Sequence, residues 1–274
     1  MKFMKNMKIQ TVVAFMAVGI IGYGNADEEA SMLSVNTVWD LPPLEADRPD
    51  VTESPMTVPK GMWQLEMTVA GWSRDEADGD TTRTWSFGEI NMKYGLTGRD
   101  DIQIGFDLYA RERSAGDSAE GFGDVVIRWK HNLLGFDDES PVAVAAMPYV
   151  KIPTGTELSN GQIEGGFVLP AAMDLNDRVS LGAQIEPSYL FDEDSDDHQF
   201  ALGHTVALAV DLGGSFGTYV EYVGMVTESD YEAGLSGGFT YDVNSNFRLD
   251  VGAYFGLNDS AEDFAGFTGF TCRF

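Results

Sequence analysis

The chain has 274 residues, with 17 Lys and Arg against 44 Asp and Glu, for a formal net charge of −27. Such acidity excludes binding to a polyanion such as nucleic acid as its main task. A single cysteine, Cys272, excludes an intramolecular disulfide, and no apolar run after residue 26 is long enough for a membrane helix.

Residues 1–26 read as a signal peptide. Lys2, Lys5 and Lys8 form a basic start, Thr11 to Ile21 an apolar stretch too short to span a bilayer, and Gly24 and Ala26 the small residues before a cut after Ala26. Cleavage removes those three lysines and leaves 14 basic against 44 acidic residues, a net charge near −30. The residue after the cut is Asp27, so Cys272 is not a lipoprotein cysteine; it reads as a small lipid-facing residue.

Residues 27–61 form a distinct segment. They contain Pro42, Pro43, Pro49, Pro55 and Pro59, half of the chain's ten prolines. Proline cannot donate to a strand ladder, so an extended, non-sheet, periplasmic N-terminal segment is expected.

From residue 62 to 274 the pattern has period two. It predicts about twelve strands, near 62–72, 82–94, 101–110, 123–134, 141–153, 163–175, 178–191, 199–212, 215–226, 230–242, 245–258 and 262–274. Most are 10–14 residues long, the length of a tilted transmembrane strand rather than of a soluble sandwich strand. Ile102, Ile104, Phe106 and Leu108 alternate with Gln103, Gly105, Asp107 and Tyr109. Phe247, Leu249, Val251, Ala253, Phe255 and Leu257 alternate with Arg248, Asp250, Gly252, Tyr254 and Gly256. In a membrane barrel the apolar face meets lipid and the small or polar face lines the lumen.

The connections alternate as well. Short turns fall at 95–100, 135–140, 176–177, 213–214 and 243–244. Longer loops fall at 73–81, 111–122, 154–162 and 192–198, with shorter ones at 227–229 and 259–261. Short periplasmic turns and longer external loops are the outer-membrane arrangement, and an even strand number puts both termini in the periplasm. Aromatics such as Trp63, Trp72, Trp85, Tyr94 and Trp129 sit near strand ends, as interfacial girdles do. The final strand stops on Phe274, the terminal aromatic by which barrel-assembly machinery selects outer-membrane proteins. The fold class expected is all-β, a transmembrane antiparallel barrel in the outer membrane of a Gram-negative cell.

Two sets of residues resemble a known family. The first is the run from Asp47-Arg48-Pro49-Asp50 through Thr52-Glu53-Ser54-Pro55 and Thr57-Val58-Pro59 to Gly61, continuing into Gln64-Leu65-Glu66. The second is the series Tyr94-Gly95-Leu96-Thr97, Gly121-Phe122-Gly123-Asp124, Pro153-Thr154-Gly155, Glu221-Tyr222 and the Phe274 end. Together they resemble the phenol-degradation meta-pathway family of outer-membrane barrel proteins, whose members are often labelled simply transporters. The resemblance covers nearly all of 45–274. It implies a barrel and passage of small organic molecules; the reading of the residues is porin-like, and no cofactor is expected.

Strand parity assigns charged residues to the lumen. The basic ones include a strip on successive strands, Lys93, Arg128, Lys130 and Lys151, with Arg248 and Arg273 elsewhere. The acidic ones include Glu66, Asp107, Glu164, Glu186, Glu221 and Asp250, with Glu89, Asp174 and Glu232. Two readings stay open. The charges form a paired network that fills the interior, or the basic strip lines a polar path favouring anionic solutes such as aromatic carboxylates. Isolated buried ions are costly, so partners are required in either case. For Asp47, Arg48, Pro49, Asp50 and Glu53 the expectation is a fixed place in the periplasmic mouth, with Arg48 pairing to a lumen carboxylate such as Glu66 or Glu221.

No catalytic site is expected. His131 and His204 fall on the outward face, but no Ser follows two positions on, as a lipid hydrolase on the barrel wall would need. One histidine among acids, His198 beside Asp196 and Asp197, is weak support for a metal. The function expected is passive diffusion of small organic, anionic aromatic solutes. The alternative is a closed structural or interaction barrel whose acidic external loops bind divalent cations. Outer-membrane lipid and lipopolysaccharide are the surroundings in either case.

Overall fold

The computed structural model describes residues 41–77, 79–136, 140–193 and 195–274. The expected signal peptide, and the part of the N-terminal segment before residue 41, lie outside the described residues.

The burial pattern is inside-out. Lys130, Gln64, Gln103, Glu66 and Glu221 are among the largest fully buried side chains. Phe200, Phe239, Val251 and Phe255 are more than half exposed. A water-soluble protein buries the second set and exposes the first. A barrel in lipid does the reverse, because its outward face has a hydrocarbon solvent and its polar face turns inward.

Thirteen strands follow in chain order: β1 (Trp63–Ala77), β2 (Asp80–Gly95), β3 (Asp100–Ser114), β4 (Asp117–Gly121), β5 (Val125–Leu134), β6 (Ala143–Ile152), β7 (Glu164–Asn176), β8 (Val179–Asp192), β9 (Asp197–Gly213), β10 (Phe216–Val226), β11 (Tyr231–Asn244), β12 (Phe247–Gly256) and β13 (Phe264–Arg273). Twelve of them close into an antiparallel barrel. Each pairs with its neighbour, and β1 pairs with β13, Gln64 opposite Arg273 and Met67 opposite Phe270. Trp63 and Phe274 finish the seam by exchanging backbone hydrogen bonds of 2.8 and 2.9 Å. Closure removes the exposed edges that an open sheet would present.

The fourth strand is the departure from expectation. Residues 111–122, expected as a loop, form a hairpin: β3 runs on to Ser114 and β4 returns against it, Arg113 opposite Ser118 and Arg111 opposite Glu120. The reversal occurs at Ala115 and Gly116, both at positive φ, where Gly carries no Cβ penalty. The same strand pairs lower down with β5, from Asp100 opposite His131 to Gly105 opposite Val126. The loops expected at 73–81 and 192–198 are likewise taken up largely by strand, since β1 and β2 pair as far as Ala77 opposite Asp80 and β8 and β9 as far as Asp192 opposite Asp197. Ladder hydrogen bonding continues there because strands leaving the membrane can still pair in water.

At the end of the barrel that holds Phe274, the rings of Trp63 and Tyr94 lie 4.7 Å apart on the outer face. The turns at this end are tight, as at Gly213 and Gly214, both at positive φ.

Candidate functional site

The lumen is occupied. Residues 41–61 enter from the end holding Phe274, rise inside the barrel and return to begin β1. Arg273 anchors the entry, donating to the carbonyls of Pro42 (2.9 Å) and Pro43 (3.2 Å). The return is fastened to β2, where Gly61 N–H donates to Gly95 O at 2.8 Å. The approach is close: a Cβ on Gly95 would stand 2.2 Å from Pro59 O. Between these points Leu44, Asp47, Arg48, Thr52 and Val58 are all buried.

The prolines explain why this segment is not a strand. They withhold N–H groups from any ladder, so the remaining backbone groups must find side chains on the wall. Those side chains sit at inward positions. Glu66 accepts from Asp47 N–H at 3.1 Å. Glu221 accepts from Val51 N–H at 2.9 Å and from Thr52 N–H at 2.7 Å. Gln184 accepts from Glu53 N–H at 2.8 Å, and Asp101 from Val58 N–H at 3.0 Å. On the return, Asn132 donates to Pro55 O at 3.0 Å.

Charge pairing sets the position of the segment. Asp47 is its centre. Both carboxylate oxygens accept from Lys130 Nζ at 2.8 Å, Lys93 Nζ donates to Oδ2, and Ser54 N–H donates to Oδ1 at 2.8 Å. Lys93 also reaches Glu66 at 2.6 Å. Arg128 pairs with Glu53 at 2.7 Å, and Lys130 stands 3.7 Å from the other Glu53 oxygen. Arg48 points to β1 and β12. Its Nη2 donates to Asp250 Oδ1 at 2.6 Å and its Nε to Oδ2 at 3.2 Å, while Nη1 donates to Thr68. This fork-on-carboxylate geometry is one that lysine cannot reproduce.

Asp47 belongs to a segment that does not itself cross the membrane. Burial resists its ionisation, but Lys130 and then Lys93 outweigh burial and hold its carboxyl well below its ordinary value of 3.8.

The residues assigned to the lumen by parity separate into groups. Glu66, Lys93, Arg128, Lys130, Glu221 and Asp250 converge on the segment. Arg48 pairs with Asp250, while Glu66 and Glu221, its expected partners, hold the backbone of Asp47, Val51 and Thr52 instead. Lys151 stands apart from the rest of the basic strip. It pairs with Glu164 and lies 3.6 Å from Asp124, near the opposite mouth. Glu186 accepts from Tyr149 at 2.7 Å, and Asp107 lies across the ladder from Glu89. Pro49 contributes its carbonyl, 3.4 Å from the Tyr219 hydroxyl. Asp50 makes no ion pair among the described residues.

Uncharged wall residues complete the site, and a charge-based reading of the sequence passes over them. Gln64, Gln103, Asn132, Gln184 and Thr205 are buried. All have inward parity, so amides and hydroxyls at inward positions are the signal that would have found them.

The three histidines are accounted for by local contacts. His131 meets Asp100 at 2.7 Å. His204 stacks on Tyr231, with ring centroids 5.9 Å apart. His198 stacks on Tyr189 at 5.0 Å and contacts Ile163 O at 3.0 Å. No group of three or more candidate metal ligands occurs among the described residues.

No curated protein matches the chain in sequence. Solved structures do match its fold. An outer-membrane channel from Pseudomonas putida F1 superposes with a TM-score of 0.62 at 15% identity, over 81% of this chain and 98% of that one. The porin NanC superposes with a TM-score of 0.51 at 7% identity, over 76% and 98%. The fold is therefore the barrel fold that an outer-membrane channel and a porin share. The sequence match runs from residue 46, inside the lumen segment, to the final Phe274, and on it the chain belongs to the family described as "Putative MetA-pathway of phenol degradation".

Proposed function

We propose that the chain is a passive outer-membrane channel for small organic solutes, anionic aromatic ones among them, with its path controlled by its own segment 41–61. Both termini are periplasmic in this reading, and the barrel-assembly machinery recognises Phe274. The observation that carries the proposal is Asp47, seated between Lys93 and Lys130. The segment supplies the carboxylates that neutralise three members of the basic strip, Lys93, Arg128 and Lys130. A solute carboxylate is chemically the same partner as the Asp47 side chain. The strip is therefore latent while the segment is seated and becomes an anion path where the segment yields.

The test is single-channel conductance of the refolded mature protein beside a variant lacking residues 40–60. The intact protein is expected to show small or infrequent steps, and the variant larger, anion-selective ones. Equal conductance and selectivity in the two would put the segment outside the conducting path and overturn the reading.

A second reading has a specific observation in its favour. Lys93, Arg128 and Lys130 all have fixed carboxylate partners, which is also how a closed structural barrel would be held rigid. In that case neither protein conducts, although both migrate on gels as folded, heat-modifiable barrels.

A further inference from the structure

The outer wall carries a row of three arginines at one level. Arg74 on β1 lies directly opposite Arg83 on β2, and Arg83 directly opposite Arg113 on β3. All three face away from the lumen. Inward positions in this region belong to Gly71 and Ser86, whose neighbour is the lumen residue Glu89. The next outward pair is Trp72 opposite Trp85, and Trp85 lies opposite Arg111. Phe87 and Tyr109 continue the outward face below.

Like charges directly opposite on neighbouring strands repel. In a chain of net charge −27 such a row calls for an explanation. Part of the charge is met within the protein: Arg74 donates to Glu76 at 2.5 Å, and Arg111 stands 3.3 Å from Glu120. Arg83 and Arg113 have no carboxylate partner among the described residues, and Arg113 instead lies over the Trp85 ring at 5.8 Å. Two adjoining hollows open on the surface here. One, of about 280 Å³, is lined by Trp85, Phe87, Tyr109, Arg111 and Arg113. The other, of about 440 Å³, has Arg83, Arg111 and Arg113 on one side and the β3–β4 turn on the other. The surface is thus apolar and aromatic below and cationic above.

Its height matches. Arg74 is eleven residues beyond Trp63 on the same strand. At about 3.3 Å per residue and a tilt of about 40°, it stands roughly 28 Å above the girdle at Trp63. The apolar band of an outer-membrane barrel is about 25 Å tall, so the arginines fall at the level of the headgroups. With the termini periplasmic, as in the function proposed above, this is the outer leaflet.

We propose that the Arg74–Arg83–Arg113 row is a binding site for a phosphorylated glycolipid of the outer leaflet, a lipid A-type molecule. Its phosphates bridge Arg83 and Arg113, and its acyl chains lie on Trp72, Trp85, Phe87 and Tyr109. Guanidinium pairs phosphate oxygens in a planar fork and stacks on aromatic rings at the same time, which suits the boundary of the two surfaces. The lipid phosphate supplies the counterion that the protein does not.

The experiment is native mass spectrometry of the detergent-purified mature protein titrated with diphosphorylated lipid A, dephosphorylated lipid A and phosphatidylglycerol. It compares the wild type with R83A/R113A, R83K/R113K and the control R178A, whose arginine lies in a turn at the opposite end. Each variant is first checked for heat-modifiable migration, so that loss of fold is not mistaken for loss of binding. The wild type and R178A are expected to retain diphosphorylated lipid A at a concentration at least tenfold lower than R83A/R113A, with R83K/R113K in between. Binding by R83A/R113A within twofold of wild type would overturn the site. Equal binding of the dephosphorylated lipid, or of phosphatidylglycerol, would overturn the identity of the ligand. None of these outcomes depends on whether the barrel conducts.

Discussion

Asp47 and Lys130, 83 residues apart in sequence, meet through both carboxylate oxygens at 2.8 Å inside the barrel. Lys130 is 1% exposed. An ammonium so far from water is tolerated only with an anionic partner in good geometry, and here that partner belongs to the segment rather than to the wall. The contact therefore holds the segment in place and keeps the wall stable.

Asp47→Asn should loosen both. Lys130 would keep Glu53 only at 3.7 Å and the Ser54 carbonyl at 2.8 Å. Breaking a buried pair by removing one partner costs about 3–5 kcal/mol. A lower urea midpoint together with faster cleavage within residues 41–61 is expected. An unchanged midpoint would mean that Glu53 alone suffices for Lys130.

The same carboxyl sets a pH dependence. Its folded value lies below the unfolded one, so its contribution is present above the unfolded value and is lost as pH falls through the folded one. Conductance of the intact protein should stay level from about pH 7 to about pH 4, around the ordinary carboxylate value, and rise only under more acidic conditions. A rise already between pH 7 and pH 5 would assign control of the segment to another group.

Arg48 and Asp250 invite a double-mutant cycle. Arg48→Ala strands the Asp250 carboxylate, which is buried, whereas R48A/D250N removes the charge as well. The double variant should be more stable than the sum of the single losses predicts, by roughly 1–3 kcal/mol for directly bonded partners. Arg48→Lys should recover only part of the loss, because an ammonium cannot make the forked contact. Strict additivity in urea unfolding would show that the pair is not coupled.

Gly95→Ala tests the fastening of the segment to β2. The new methyl would stand 2.2 Å from Pro59 O and 2.4 Å from Val58 O, so the segment must move or the strand end must open. Increased protease sensitivity confined to residues 41–61, in a barrel that still migrates as folded, is the outcome expected. Unaltered sensitivity would show that the backbone absorbs the methyl locally.

Orientation can be read on intact cells. In a C272S background, S195C lies in the β8–β9 turn and S215C in a turn at the end that holds Phe274. A membrane-impermeant maleimide should label the first and spare the second. The reverse pattern would invert the barrel and put the arginine row in the inner leaflet.

The barrel itself was legible in the sequence because its signal is local. Period-two alternation at Ile102–Leu108 and Phe247–Leu257 assigns each residue to the lumen or to lipid without knowledge of any partner. Parity assigns Lys93, Lys130, Glu66 and Asp250 to the lumen face in this way, and all four side chains are buried. The proline spacing likewise showed that residues 41–61 could not be a strand. The hairpin at β4 was missed because the polar run from Arg111 to Glu120 has no apolar alternation: beyond the membrane, neither face of a strand needs to be greasy. What only the tertiary structure decided is which charges meet. Parity supplies a face but not a height or an azimuth, and the segment has no period to extrapolate. Arg48 could face Glu66, Glu221 or Asp250 by sequence alone. Closing the barrel puts Asp250, 202 residues away, within 2.6 Å of its guanidinium, and puts Asp47 beneath two lysines of the strip it neutralises. The alternation is written in neighbouring residues, and these ion pairs exist only once strands distant in sequence surround the segment.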